Sequence, residues 1–248
     1  MMLRGMLELS WIEAKVFLRE PLGVLSTLGM PVLVFVLFGR VLRAGPRDAA
    51  TLAQAPFNVT ILAALLIALG AVQSLIAIMA IYREGGILKR LRATPLSPVA
   101  ILGAHVVVKL AFTLVGLALL VVAGRRVLPG ALPVDLASFG AAVLLGTLSI
   151  LSLGFVLASL VPTARFAQPL GAAVLYPMIA LSGLFFPVAL LPRALRVLAA
   201  VLPTTHAVSL MQGVWDGTGW AAQWESVAAL LAVFAVCIVL STRWFRWE

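Results

Sequence analysis

An all-α integral membrane protein with six transmembrane helices is the fold this sequence predicts, on three observations. Hydrophobic residues make up 63% of the 248 and charged residues 11%, against about a quarter charged in soluble domains, and the mean hydropathy is +1.14. Apolar runs of the length a helix needs to cross a hydrocarbon core, about 20 residues at about 1.5 Å each, recur along the chain. The basic residues punctuate those runs and do not gather into one patch interleaved with aromatics, so the net charge of +9 argues for membrane flanks and anionic lipid, not for nucleic acid.

The first 20 residues are predicted to form an amphipathic helix in the membrane interface. Leu3, Met6, Leu7, Trp11, Ala14 and Leu18 recur at helical spacing, with Arg4, Glu8, Lys15 and Arg19 on another face. Those charges also interrupt the apolar core that a cleavable signal would need. The spans then follow in order: Pro21 to Gly39, with a kink expected at Pro31; Phe57 to Tyr82; Val99 to Ala123; Val134 to Val161; Gln168 to about Leu191; and about Ala221 to Ser241. Ala194 to Leu202, bracketed by Pro192 and Pro203, is too short to cross. It is expected to be an interfacial or re-entrant helix within an outer region spanning 183–220. Pro177 and Pro187 add to the irregularity there, so the fifth span is expected to break into two half-helices facing protein or a water-filled pathway.

An even number of spans puts both termini on one side. With the termini inside, the inner loops carry ten basic residues and the outer loops seven, while Lys109 can snorkel inward from the third span. Small residues such as Gly140, Ala141, Ala142, Gly146, Gly154 and Ala158 predict close helix approach and a compact bundle.

Tyr82 to Pro98, YREGGILKRLRATPLSP, joins the second and third spans on the predicted inner side. Gly85 and Gly86 can end the membrane helix and re-aim the chain. Ile87, Leu88 and Leu91 then share one helical face, Lys89, Arg90 and Arg92 the other, and Pro95 and Pro98 stop the helix. Such a helix lying along the inner surface suits a docking partner, since a push on it reaches both spans. A plain positive-inside anchor is the alternative that the pattern leaves open.

The string from Glu84 to Pro98 resembles the motif of the type-2 ATP-binding-cassette (ABC) exporter permeases, and Ser182 to Val208 resembles their linker between the fifth and sixth spans. Span order extends the likeness over nearly the whole chain. Where family members commonly carry Arg after the first Glu, this chain has Gly85. The resemblance implies an N-terminal amphipathic connecting helix (1–20), six spans, a cytosolic coupling helix (82–98) and a re-entrant element before the sixth span. Carried onto this sequence, Glu84, Ile87, Leu88, Lys89, Arg90, Leu91, Arg92 and Pro95 fall on the segment that receives the ATPase. No GxxxxGK[ST] phosphate loop occurs in the chain. ATP and Mg are therefore expected on a separate ABC ATPase subunit in two copies, beside a second permease subunit, identical or related, in a bacterial or archaeal cytoplasmic membrane.

Polar residues within the spans are the candidates for a substrate pathway: Gln73, Thr113, Ser149, Ser152, Gln168 and Tyr176, with Ser74, Lys109 and Thr147 nearby in sequence. Serine and threonine more often bond their own helix. So apolar a pathway favours a lipophilic, drug-like, antibiotic or lipid-linked cargo leaving the cell. An intramembrane lipid-modifying enzyme or protease, or an ion-coupled carrier, would want carboxylates, a Ser–His couple or metal ligands at membrane depth. All nine acids are expected at or outside the span ends. Cys237 lies in an apolar run, and His105 and His206 lack ligand spacing, so no catalytic, cofactor or metal residue is assigned.

Overall fold

The computed structural model describes residues 2–44, 59–87, 98–127, 135–161 and 163–244, and every long regular element among them is a helix. In chain order these are α1 (Met2–Arg19), α2 (Pro21–Val24), a π-helical stretch (Leu25–Gly29), α3 (Met30–Ala44), α4 (Val59–Glu84), α5 (Pro98–Val127), α6 (Leu136–Leu160) and α7 (Ala164–Ala180). A 3₁₀ turn (Val188–Leu190) leads on to α8 (Arg193–Val201), α9 (Pro203–Trp215), α10 (Gly219–Ala222) and α11 (Trp224–Trp244).

Among the described residues, five helical stretches are long and apolar enough to cross a membrane: Pro21–Val41, Ile61–Glu84, Gly103–Arg126, Leu136–Leu160 and Trp224–Ser241. The first is continuous through the π-helical stretch, which stands just ahead of Pro31. A proline lacks the N–H that an α-helical ladder needs at that point, and a one-residue widening of the turn accommodates the gap. With 17 residues, α7 spans about 26 Å, near the lower limit for a crossing.

Burial separates a core pair from a periphery. In α4 and α6, 67% of the apolar window is buried within the chain, against 28%, 33% and 22% for the first, third and last stretches. The core pair meets where glycine removes the side chain that would intervene. At Gly154 a Cβ would sit 2.9 Å from Val72 Cγ1, and at Gly146 it would sit 2.9 Å from Ala207 of α9, close approaches of the kind that the Gly- and Ala-rich spans predict. Ala142 and Ala158 are both fully buried. Asp135 starts α6, its carboxylate accepting from the Ala137 and Ser138 amides at 3.1 and 3.0 Å.

One departure from the sequence expectation carries structural meaning. The fifth apolar run does not continue to Leu191: α7 stops at Ala180, the chain turns through Ser182, and Gly183 takes a φ of 82° that favours glycine. Pro177 has already removed one bond of the final turn, and the backbone beyond finds bonds in turns instead, such as Ser182 N to Ile179 O at 3.2 Å. On α1, the apolar stripe faces away from the rest of the chain. Leu7, Trp11 and Leu18 are 56%, 64% and 61% exposed, while Ser10, Glu13 and Phe17 turn inward against α5. The short apolar helix before the last span exists as α8, and it meets α9 at 80°.

Candidate functional site

A cleft of about 720 Å³ opens beside α4. One wall is the first span with the end of α1, including Val16, Met30 and Val34. The facing wall is α7, with Ala172, Leu175 and Tyr176, and the floor is α4 with the first turns of α5. Met30 and Tyr176, 51% and 69% exposed, stand at its rim. The walls are largely apolar and the polar groups are few and grouped, the arrangement of a site that holds a mainly apolar ligand.

Gln73 sits on the floor. Its Nε2 donates to the Gln168 carbonyl of α7 at 3.2 Å, an assignment the carbonyl acceptor dictates. The opposite amide atom, Oε1, is buried and has no hydrogen-bond partner among the described residues. Gly171 makes the contact possible: a Cβ there would overlap the Gln73 amide. Pro169 and Pro177 stand on either side of Gly171 in α7, and the Gln73 amide bonds that helix at the carbonyl just before the first of them.

At the corner of the cleft nearest the end of α4 a second polar group converges. Tyr82, at the end of α4, donates its hydroxyl to Glu13 Oε1. His105 Nδ1, on α5, lies 3.5 Å from Glu13 Oε2. Lys109, one turn on, donates to Ser74 Oγ at 2.6 Å and stands 4.8 Å from the centre of the Phe17 ring. The Phe17 ring lies 4.4 Å from that of Phe112. Glu13 and Lys109 are 5% and 6% exposed. Burial raises the Glu13 pKa above the usual carboxylate value, against the opposing effects of the Tyr82 hydrogen bond and the Lys109 charge. Glu13 lies ahead of the first span, outside the spans as expected of every acid, yet it is buried against α4 and α5, and Lys109 is enclosed at the Ser74 hydroxyl rather than reaching for the surface.

The pathway candidates divide. Gln73, Gln168 and Tyr176 line the cleft together with Ser74 and Lys109. Thr113 is buried and donates to the Lys109 carbonyl of its own helix at 3.0 Å. Ser149 donates across to Leu230 O of α11 at 3.0 Å, and Ser152 donates to Ser149 O at 2.6 Å; these three do not line the cleft. Of the segment connecting α4 and α5, Glu84 ends α4 and Ile87 follows Gly86, whose φ is 65°. Leu88, Lys89, Arg90, Leu91, Arg92 and Pro95 lie outside the described residues. Glu13 is the residue that the sequence pattern misses. Its clue is that it shares a helical stripe with Ser10 and Phe17, three and four residues away.

Among the described residues no group of three or more His, Cys, Asp and Glu side chains comes together as a metal site. The fold defines a polytopic helical membrane protein with a mostly apolar cleft between its first span, α4 and α7. A family profile described as "ABC-2 type transporter" matches residues 5–215, and the chain belongs to that family of membrane permeases. It is also 32% identical over 99 residues to Nodulation protein J of Rhizobium leguminosarum bv. viciae, an alignment that covers 40% of this chain and 38% of that relative. The chain thus spans about two fifths of the curated relative it matches.

Proposed function

We propose that this chain is the permease subunit of an ATP-driven exporter that moves a lipophilic or amphiphilic molecule outward, powered by a separate ABC ATPase. The cleft is the observation that carries the reading. It has apolar walls, a rim at Met30 and Tyr176, and a few polar groups on the floor at Gln73, Ser74 and Lys109. An apolar body can be solvated by such walls while a polar head finds the floor.

In this reading α7 is a sixth, short span and both termini are cytoplasmic. The bent pair α8–α9 is a re-entrant element on the outer side, and two permease subunits face each other with two ATPase subunits beneath. The basic segment 84–98 docks the ATPase. Nucleotide-driven closure of the ATPases displaces that segment, and with it the ends of α4 and α5 that form the cleft floor, so cleft access switches between the two sides.

Co-expression with a candidate ABC ATPase subunit tests the reading. The two are expected to co-purify, the permease alone to hydrolyse no ATP, and the double substitution R90E/R92E to weaken the complex. A complex of unchanged affinity in that variant removes the docking assignment.

A further inference from the structure

The carboxylate of Glu13 touches two helices that the chain joins through the basic segment. Oε1 accepts from Tyr82, two residues before Glu84, and Oε2 faces His105 on α5, the helix that begins at Pro98. One side chain of α1 therefore contacts both helices flanking residues 84–98. α1 packs along α5, with Met6 against Gly103 and Phe17 on Phe112, and Glu13 adds the bond to α4. Leu7, Trp11, Ile12 and Leu18 are 56%, 64%, 55% and 61% exposed, and its inward contacts centre on Ser10, Glu13 and Phe17. Of those three, Ser10 bonds its own helix, to Met6 O at 2.8 Å.

Apolar contact tolerates sliding, whereas a hydrogen bond to a buried carboxylate weakens steeply with angle and distance. Beyond Glu13 the chain runs one turn to Phe17, packed on Phe112 and Lys109, and leaves helical geometry only at Glu20, with φ −100° and ψ 83°. The first span, which forms a wall of the cleft, begins at the next residue.

We propose that Glu13 is a positioning residue that carries displacement of the 84–98 segment through α1 to the first-span wall of the cleft. This rests on the reading that an ATPase docks on that segment. A shift of the α4 end relative to α5 breaks or re-aims the Tyr82 and His105 contacts, and α1 follows the carboxylate. An anchor with no part in transmission would also hold α1 down, but would leave the cleft's response to nucleotide intact.

The test uses the permease–ATPase complex in lipid nanodiscs, with Cys237→Ser to remove the chain's one cysteine and Met30→Cys as a reporter on the first-span wall. The alkylation rate at position 30 is measured with a maleimide, without nucleotide and after trapping with ATP and vanadate. With Glu13 present, trapping is expected to change the rate about fivefold or more, the lower range of allosteric coupling. In Glu13→Gln, which keeps an acceptor but not the charge, the change shrinks, and in Glu13→Ala it is lost while ATP hydrolysis continues. Tyr82→Phe, which deletes one oxygen, covers the case in which Glu13→Ala does not assemble. A full nucleotide response in Tyr82→Phe and Glu13→Gln overturns the proposal even if both variants are less stable. Absence of any response with Glu13 intact sinks the docking reading instead, so the two failures are distinct.

Discussion

The Gln73 amide of α4 lies directly against Gly171 of α7, in space that any side chain at 171 would occupy. The same amide donates to the Gln168 carbonyl, so the floor and one wall of the cleft are joined by a single side chain in a region with few other polar groups. Gly171→Ala is expected to drive Gln73 out of this position and destabilise the protein by about 1–3 kcal/mol, the usual cost of overpacking. The clash is with the Gln73 side chain, so Gln73→Ala combined with Gly171→Ala should cost less than the sum of the single changes. Thermal unfolding of the four proteins in detergent measures this coupling. Additive effects show that the two helices do not meet through Gln73.

Arg83 does comparable work at the opposite corner of α4. Its guanidinium donates to Val161 O at 2.6 Å, a carbonyl at the C-terminal cap of α6 that no helical amide reaches. A cation there also faces the negative end of the helix dipole. Arg83→Met is expected to cost about 1.5–3 kcal/mol, the range for a hydrogen bond involving a charged group. Hydrogen exchange of the last turn of α6 should rise in that variant more than exchange in the middle of the helix. Equal protection of the two places counts against the cap.

Span order was legible in the sequence because each crossing needs a long apolar run, and α4, α5 and α6 begin and end within a few residues of the expected limits. The exact end of α7 was not: Pro177 and Pro187 signal a break, but the residues from Leu181 to Leu191 are as apolar as the helix before them, and hydropathy does not say where the helix stops. Hydropathy also cannot tell a serine that bonds a neighbouring helix from one that lines a cleft: Ser149 and Gln73 are both polar residues within apolar runs, and only packing sends the first to Leu230 and the second to the floor. Glu13 was hidden for a related reason. A helical wheel of α1 sets it among charged neighbours, and its partners Tyr82 and His105 are far away in the chain.

The buried Glu13 carboxylate predicts a pH dependence of stability with a definite sign. Its native pKa lies above the ordinary value of 4.5 because burial penalises the charged form more than Tyr82 and Lys109 favour it. The folded protein therefore binds this proton more tightly than the unfolded chain does. The associated stability is full below pH 4.5 and is lost as pH rises through the native pKa. Glu13→Gln has no such proton, so the difference in melting temperature between the natural protein and this variant should move against the natural protein as pH rises across that window, then level off. A difference that is constant from pH 4 to 8 contradicts the assignment.

Thr204 predicts how the α8–α9 pair is held. It is fully buried at the start of α9, and its hydroxyl donates to Met178 O at 2.9 Å, one of the last carbonyls of α7. Helix ends leave such carbonyls without an amide donor, and an interrupted end such as that of α7 needs a partner from elsewhere. Thr204→Val keeps the shape, removes the donor and leaves the carbonyl buried and unpaired, at a cost of about 1–3 kcal/mol. Thr204→Ser restores the donor and should recover most of that loss, although it lacks the methyl group. If α9 is seated on α7 through this bond, the valine variant should also raise proteolytic sensitivity in the turn from Ser182 to Pro192 while the serine variant does not. Equal sensitivity in the two means that packing of Ala207, Leu210 and Met211 against the bundle holds α9 without the hydroxyl.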